Sequence, residues 1–486
     1  MNLNEVFKST LLIGPEVVLI LTGIIVMVTD PLIKGEIKKR LFWVALLGLA
    51  LGFMLNLRRF HHGGSAFSGA LSLDEFAAYF NVIFIIGAFI ALVLSRDYAS
   101  NMNLKANEYY ALVLFSTSGM MILSSAKEFM SLFLGFEIMS ISVYILSGFN
   151  RRSVRSSESG IKYLVLGGFS SAILLYGIAL IYGASGTIFL DQIATKFDVN
   201  NPLYLAGTAL ILVGFIFKIG AFPLHQWVPD IYEGAPMTVT GFMSVGVKAA
   251  AFSILLRVLF GGFSQIEADW ARVLWVVAAF TMTIGNLAAI AQRSVKRMLA
   301  YSSIAHAGYA LVGVVAAYGE KELGLSSVLY YLFSYMFMNL GAFGVLSYLS
   351  KNGKECETLD DISGLWEKKP LTAVALGIFM FSLAGVPPTI GFFAKYRVFL
   401  SGVKAEFYWL VVIGVLNSVL SAYYYLRVLV YAYMREGKAD FPSPQPASAF
   451  ALTVLTIGTL ILGIFPLYSW ELALKAAGSF LLALAK

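Results

Sequence analysis

Glu137, Lys218, Lys248 and Lys395 each interrupt an apolar stretch long enough to cross a bilayer. A charge at the bilayer centre costs roughly 2.5–3.5 kcal/mol on insertion scales, so four of them oppose insertion by something on the order of 10 kcal/mol before any pairing. Residues kept at that cost usually face a polar interior and act there. Three amines and one carboxylate are the chemistry of a proton relay. An amine drawn out of water holds its proton less tightly, and a neighbouring carboxylate restores the hold. A Glu137–Lys218 pair that opens would release a proton onward, and each tenfold change in proton affinity is about 1.4 kcal/mol.

A second use of lysine in membranes is to reach a headgroup from near a helix end. That explanation fails for Lys248, which lies far from both ends of its run, and holds for Lys218 and Lys395 only if their helices stop at the prolines beside them. For Glu137 the competing role is a purely structural ion pair. Polar residues continue the faces on which these charges lie: Ser140 and Tyr144 after Glu137, Thr240 and Ser244 before Lys248. His306 joins them, with Ser302 and Tyr309 on its face; a neutral imidazole both donates and accepts, which suits a relay between Lys248 and Lys395. A histidine tied structurally to a neighbouring helix is the alternative. Two further stripes, Tyr331, Tyr335 and Asn339, then Asn417, Ser421 and Tyr424, hold water or pack helices. His225, Asp230 and Glu233 follow Pro223 near the inner surface; they line a proton uptake site there or belong to a solvated interfacial loop.

The elements that must position these groups are membrane spans. Of 486 residues, 59% are hydrophobic and 13% charged, against about 25% charged in a soluble domain. About 14 runs reach spanning length: 11–30, 41–58, 76–95, 109–125, 129–148, 161–182, 203–222, 237–260, 271–292, 297–317, 324–350, 371–402, 406–433 and 447–468. The expected fold class is an all-α polytopic membrane protein without a large soluble domain. The seventh span runs into Pro223 and the twelfth is interrupted at Pro387-Pro388, so both helices should break. They fall at corresponding positions of two five-span halves, the pattern of an inverted-repeat transporter with its site near the midplane. The chain then reads as one membrane domain: three N-terminal helices (about 11–108), two half-channel repeats (109–260 and 271–433), and a C-terminal helix and tail (447–486) ending in a short amphipathic or buried helix over 470–485.

The first run is a retained helix, since no cleavage-type site follows it. Loops after odd-numbered spans hold about 19 Lys and Arg, including Lys34, Lys38, Lys39, Arg40, Arg151, Arg152 and Arg155; the other loops and termini hold about 11. The positive-inside rule puts both termini on the periplasmic side. The net charge of +7 therefore reflects topology, not nucleic-acid binding. One cysteine, Cys356, excludes an internal disulfide and a cluster ligated by this chain's cysteines alone, and the four histidines form no spaced pair for haem. No redox centre and no metal site is expected. His61-His62, in HHGGSAFSG, reads as an exposed turn; Arg427 reads as snorkelling; Lys351–Lys369 reads as a solvated loop or docking surface.

Three stretches in order, KIGAFPLHQWVPDIYEGAP (218–236), KRMLAYSSIAHAGY (296–309) and PPTIGFFAK (387–395), together with the Glu137 of span 5, resemble the antiporter-like membrane subunits of proton-pumping NADH:quinone oxidoreductase, respiratory complex I. The resemblance covers nearly the whole chain. The chain is too short for the long lateral helix of the L-type branch, and the lysine of GFFAK is similar to the N-type branch where the M-type carries glutamate. The resemblance implies a proton-translocating module whose relay is Glu137, Lys218, Lys248, His306 and Lys395. It also implies NADH, FMN, iron–sulfur clusters and quinone on other subunits, an M-type subunit and small K- and J-type subunits as partners, and a bacterial inner membrane. A subunit of a multisubunit sodium/proton antiporter, a ferredoxin-driven relative and a mere scaffold stay open beside it.

Overall fold

The computed structural model describes residues 3–33, 38, 40–60, 63–102, 104, 107–437, 441–443 and 445–484. His61, His62, Lys34 and Lys39 lie outside the described residues. The chain is helical almost throughout. The N-terminal part holds α1 (Leu3–Leu12), α2 (Gly14–Thr29), α3 (Leu41–Arg59), a hairpin of β1 (Gly64–Ala66) and β2 (Leu71–Leu73) with Ser65 opposite Ser72, and α4 (Glu75–Asn101). Then come α5 (Asn107–Ser125), α6 (Phe129–Ser147), α7 (Val154–Ser185), α8 (Leu190–Lys196), α9 (Pro202–Ile219), α10 (Trp227–Gly234), α11 (Met237–Phe242) and α12 (Lys248–Arg257). The remainder is α13 (Glu267–Ile290), α14 (Val295–Ala316), α15 (Lys321–Leu349), α16 (Leu365–Lys368), α17 (Pro370–Ala384), α18 (Ile390–Lys404), α19 (Tyr408–Met434), α20 (Pro446–Ile464) and α21 (Leu467–Leu484).

Every expected run is helical, and α21 supplies the short helix expected over 470–485. Among the described residues eleven helices are long and apolar enough to span a membrane, or up to twelve if the bent pair at the N-terminus is one span. The count falls below about 14 for physical reasons: α5 carries many serines and threonines, and the twelfth run is split into two short helices.

Both expected breaks are present and are built alike. α9 ends on Gly220 (φ 71°) and α17 on Gly385 (φ 87°), both left-handed, and each glycine N–H closes the last turn. Glycine adopts this conformation without the steric cost a Cβ would bring. The prolines, Pro223 and Pro388, each follow a cis peptide bond. The likeness extends to other elements. Glu128 caps α6 and bridges to Phe189, while Ser294 caps α14 and bridges to Thr358. Gly119 lets α5 meet the backbone of Met139, and Gly285 lets α13 meet the backbone of Ala305, the close packing that small residues allow within a bilayer. The paired features recur at an interval of about 165 residues and relate α5–α12 to α13–α19, the correspondence an inverted-repeat transporter would show.

The run Met237–Gly262 is buried along its whole length, and α14 and α15 nearly so, which makes them the axis of the molecule. α7 and α19 instead expose apolar side chains such as Phe169, Tyr176, Trp409 and Leu416.

Candidate functional site

The three lysines lie at places where the helix ladder is interrupted. Lys218 sits in the last turn of α9, two residues before Gly220. Lys395 lies in α18 after the second break, against Gly385: a Cβ there would stand 2.9 Å from Lys395 Cδ. Lys248 opens α12 directly after a π-helical turn at Met243–Val247, a distortion frequent at functional sites. All three are at most 4% exposed.

Each ammonium is held by neutral oxygens and ring faces. Lys218 Nζ donates to Ser140 Oγ at 2.7 Å and lies over the rings of Phe136, Tyr144 and Tyr163. Lys248 Nζ donates to Ser303 Oγ at 2.6 Å and to the Ser303 carbonyl. Lys395 Nζ donates to Ala384 O and Ser418 Oγ, both at 2.9 Å, and lies 4.9 Å from the centre of the Tyr309 ring. The expected Glu137–Lys218 contact pair is not formed. Ser140, one turn further along α6, takes the ammonium, and Glu137 Oε1 has no hydrogen-bond partner. Glu137 is half-buried and lies on the open stripe of α6 formed by Met130, Leu134, Ile141 and Ile145.

His306 lies between Lys248 and Lys395 as expected. Its Nδ1 meets Tyr331 OH at 2.6 Å, and its Nε2 meets Tyr425 OH at 3.1 Å. Tyr425 OH in turn bonds Ser302 Oγ. Tyr309 packs edge-on to His306 and accepts from Asn286 Nδ2 at 3.1 Å. Asn286 continues to Asn417 and Tyr424, while Asn339 donates to Ser244 Oγ, one turn before Lys248. The two polar stripes of α15 and α19 thus face each other across α14. Tyr425, Ser303 and Ser418 went unnoticed in the sequence; Ser303 and Ser418 were masked by ordinary serine neighbours, whereas Tyr425 adjoins a residue that was singled out.

The residues after Pro223 separate. His225 is buried with Nδ1 unpartnered. Asp230 and Glu233 instead face the surface, where Arg297 binds them at 2.9 and 2.5 Å and Lys162 lies 3.6 Å from Asp230. Two expectations need correction. Arg427, expected to snorkel, donates from its guanidinium to the carbonyls of Ile290 and Gln292 at the end of α13. The segment from Lys351 to Lys369 is not wholly solvated. Cys356 is buried, and Glu355 reaches inward to Lys296, Tyr98 and the Met237 N–H. Buried charges missed in the sequence are Lys296, Arg257 with Asp74, and Arg59 with Glu16. Each falls near a helix end, where a charge reads as exposed. Among the described residues no three His, Cys, Asp or Glu come together as a metal-binding group.

A polytopic helical bundle with two similarly built helix breaks, each beside a buried lysine, is the architecture of an ion-translocating membrane protein. Residues 126–421 match the family described as NADH:quinone oxidoreductase/Mrp antiporter, transmembrane. The chain is 44% identical over 483 residues to NADH-quinone oxidoreductase subunit N of Trichlorobacter lovleyi, covering 98% of this chain and 99% of that one. It superposes on a chain of respiratory complex I from Thermus thermophilus with TM-score 0.81 and 31% identity, covering 95% and 99%. A chain of the Mrp complex from Dietzia shares the fold, with TM-score 0.85 at 23% identity over 98% and 97% of the two chains. The chain belongs to the NADH:quinone oxidoreductase/Mrp antiporter family, among its N-type subunits.

Proposed function

We propose that this chain translocates protons as the N-type membrane subunit of NADH:quinone oxidoreductase, using Glu137, Lys218, Lys248, His306 and Lys395 as its relay. The observation that carries the reading is that, among the described residues, none of the three buried lysines has a carboxylate within ion-pair distance. A carboxylate partner would tighten each lysine's hold on its proton. A lysine held only by hydroxyls, carbonyls and rings can give up and regain a proton without breaking an ion pair. His306, bonded to tyrosines at both nitrogens, then links Lys248 to the Lys395 half. In this reading residues 109–260 and 271–433 form the two half-channels, flanked by 11–108 and 447–486.

NADH, FMN, the iron–sulfur clusters and quinone belong to other subunits in this reading, and electron transfer there drives the relay here. In this reading Glu137, half-buried on the open stripe of α6, meets a neighbouring M-type subunit, and the small K- and J-type subunits are the other neighbours. The chain sits in a bacterial inner membrane with both termini periplasmic.

The test is NADH-driven proton uptake by inverted membrane vesicles holding the assembled complex. Lys248→Ala is expected to abolish pumping and to slow coupled NADH oxidation by about tenfold or more, as loss of a proton-transfer group does, with assembly intact on native gels. Normal pumping by the variant would remove Lys248 from the relay and leave the chain a scaffold. A wild-type complex without NADH-driven activity would point to a ferredoxin-driven enzyme or a sodium/proton antiporter.

A further inference from the structure

The relay needs a supply of protons from one side. On the side where the connections after α4, α6 and α15 meet, a cleft of ≈ 350 Å³ opens between Asn150, Arg155, Glu233, Glu355, Glu357 and Asp361. The same side is tied together by Gly353 N–H to Asn101 O and by Arg155 to Glu357. At the bottom of the cleft stands Glu355. Its Oε1 accepts from Met237 N–H at 2.9 Å and from Tyr98 OH; its Oε2 pairs with Lys296, whose Nζ also donates to Ala235 O at 2.7 Å. Lys296 is 1% exposed and lies behind Glu355, on the bundle side.

Lys296 and Ser303 lie on the same helix, α14, seven residues and therefore two turns or about 10 Å apart, on one face. Ser303 is the residue that holds Lys248. Thr240 Oγ1 donates to Tyr232 O at 2.9 Å and lies 3.4 Å from Ala235 O, the carbonyl that also accepts from Lys296, and the fully buried Asn339 donates to Ser244, one turn before Lys248.

We propose that Lys296 is a further member of the proton relay, loaded from the cleft by the carboxyl pair Glu355 and Glu357. The proposal rests on the relay reading above. The Lys296 ammonium passes one proton inward toward Ser303 and Lys248 and becomes a neutral amine. The carboxyl pair, holding one proton taken from the cleft, gives it to that amine, and the ion pair is restored. Burial raises the affinity of Glu357 for a proton, Lys296 lowers it, and the adjacent Glu355 raises it again; the net result is a pKa raised from the ordinary glutamate value. The groups facing the pair are Lys296 from α14, Tyr98 from α4, Arg155 from α7, Glu233 from α10, and Lys354, Cys356 and Asp361 from the loop itself.

The test uses the assembled complex in inverted vesicles driven by NADH. Lys296→Arg keeps the ion pair with Glu355, but arginine does not give up its proton; pumping is expected to fall several-fold with assembly unchanged. Glu357→Gln leaves the contacts of Glu355 with Lys296, Tyr98 and the Met237 N–H in place. It is expected to pump near the wild-type rate at about pH 6 and several-fold more slowly at about pH 8, where proton capture limits the supply. A merely structural ion pair would be preserved by Lys296→Arg and would give no such pH dependence. If both variants pump like wild type at both pH values while Lys248→Ala does not, the loading proposal is overturned and the relay stands. If Lys248→Ala also pumps normally, the relay reading falls and this proposal with it.

Discussion

A buried lysine is defined by what holds its ammonium. Lys218 is held by one hydroxyl and three aromatic faces, with the Glu137 carboxylate nearby but not bonded to it. This is the open form of the pair expected from the sequence, and Ser140 is what keeps it open. A hydrogen bond from a charged group contributes about 1.5–3 kcal/mol, comparable with the gain available from an ion pair. Ser140→Ala should therefore tip Lys218 toward Glu137. The expected result is slower pumping, reduced by several-fold with assembly intact, because the pair then has to be broken in each cycle. Additional substitution of Glu137 by Gln should not deepen the loss if the two act through the same pair. Pumping rates of the single and double variants in one vesicle assay decide this, and independent additive losses would count against it.

At the scale of elements, the two helix breaks do different work with the same construction. Gly220 ends α9 after its lysine, whereas Gly385 ends α17 before its lysine and packs on that lysine's side chain. Gly385→Ala meets two costs. A left-handed conformation with a Cβ costs roughly 1–2 kcal/mol, and the new methyl would press on Lys395 Cδ. Gly353→Ala supplies the control: it also has positive φ (76°), but a Cβ there meets nothing within 4 Å. Both variants should assemble somewhat less well; only Gly385→Ala should lower the pumping rate per assembled complex. Equal rates for the two would mean that the backbone turn, not its contact with Lys395, matters.

The whole molecule is fastened at its two ends by different charge networks. At the cleft end the Lys296–Glu355 pair joins α14, α4 and the loop after α15. At the opposite end, where Asp74 caps α4, a buried chain runs across the N-terminal helices. Arg59 grips Glu16 with two bonds of 2.8 and 2.5 Å; one turn earlier on α3, Asn56 accepts from Asn81, which accepts from Ser124 Oγ; and Arg257 ties Ser124 O to both oxygens of Asp74. Arg257 lies in α12, the helix of Lys248, so this chain anchors the central span to α2 and α3. Removing one partner of a buried pair costs about 3–5 kcal/mol because the other charge is stranded, while removing both costs far less. Arg59→Leu should sharply reduce the amount of assembled complex, and Glu16→Leu with Arg59→Leu should recover most of it. Native-gel quantitation with proton pumping per complex checks both; a double variant no better than the single would show that the pair is needed for more than mutual neutralisation.

The class of the protein, its helical runs, both helix breaks and the five relay candidates were legible in the order of the amino acids. Each follows from a local and one-dimensional rule: apolar length sets a span, proline sets a break, and a charge inside an apolar run is conspicuous. His306 lying between Lys248 and Lys395, with Ser302 and Tyr309 beside it, was legible because helical spacing fixes a face. Which groups touch was not legible there and came from the packing of the folded chain. It gave Lys218 to Ser140 instead of Glu137, turned Glu355 and Cys356 inward from a polar loop, and used Arg427 to close a neighbouring helix. It also revealed the recurrence of the left-handed glycines and the capping residues, which no run of similar sequence announces. The reason is physical: a side chain's partner is chosen by helices distant in sequence that pack against it, and a charge at a helix end reads as exposed until another helix or loop covers it.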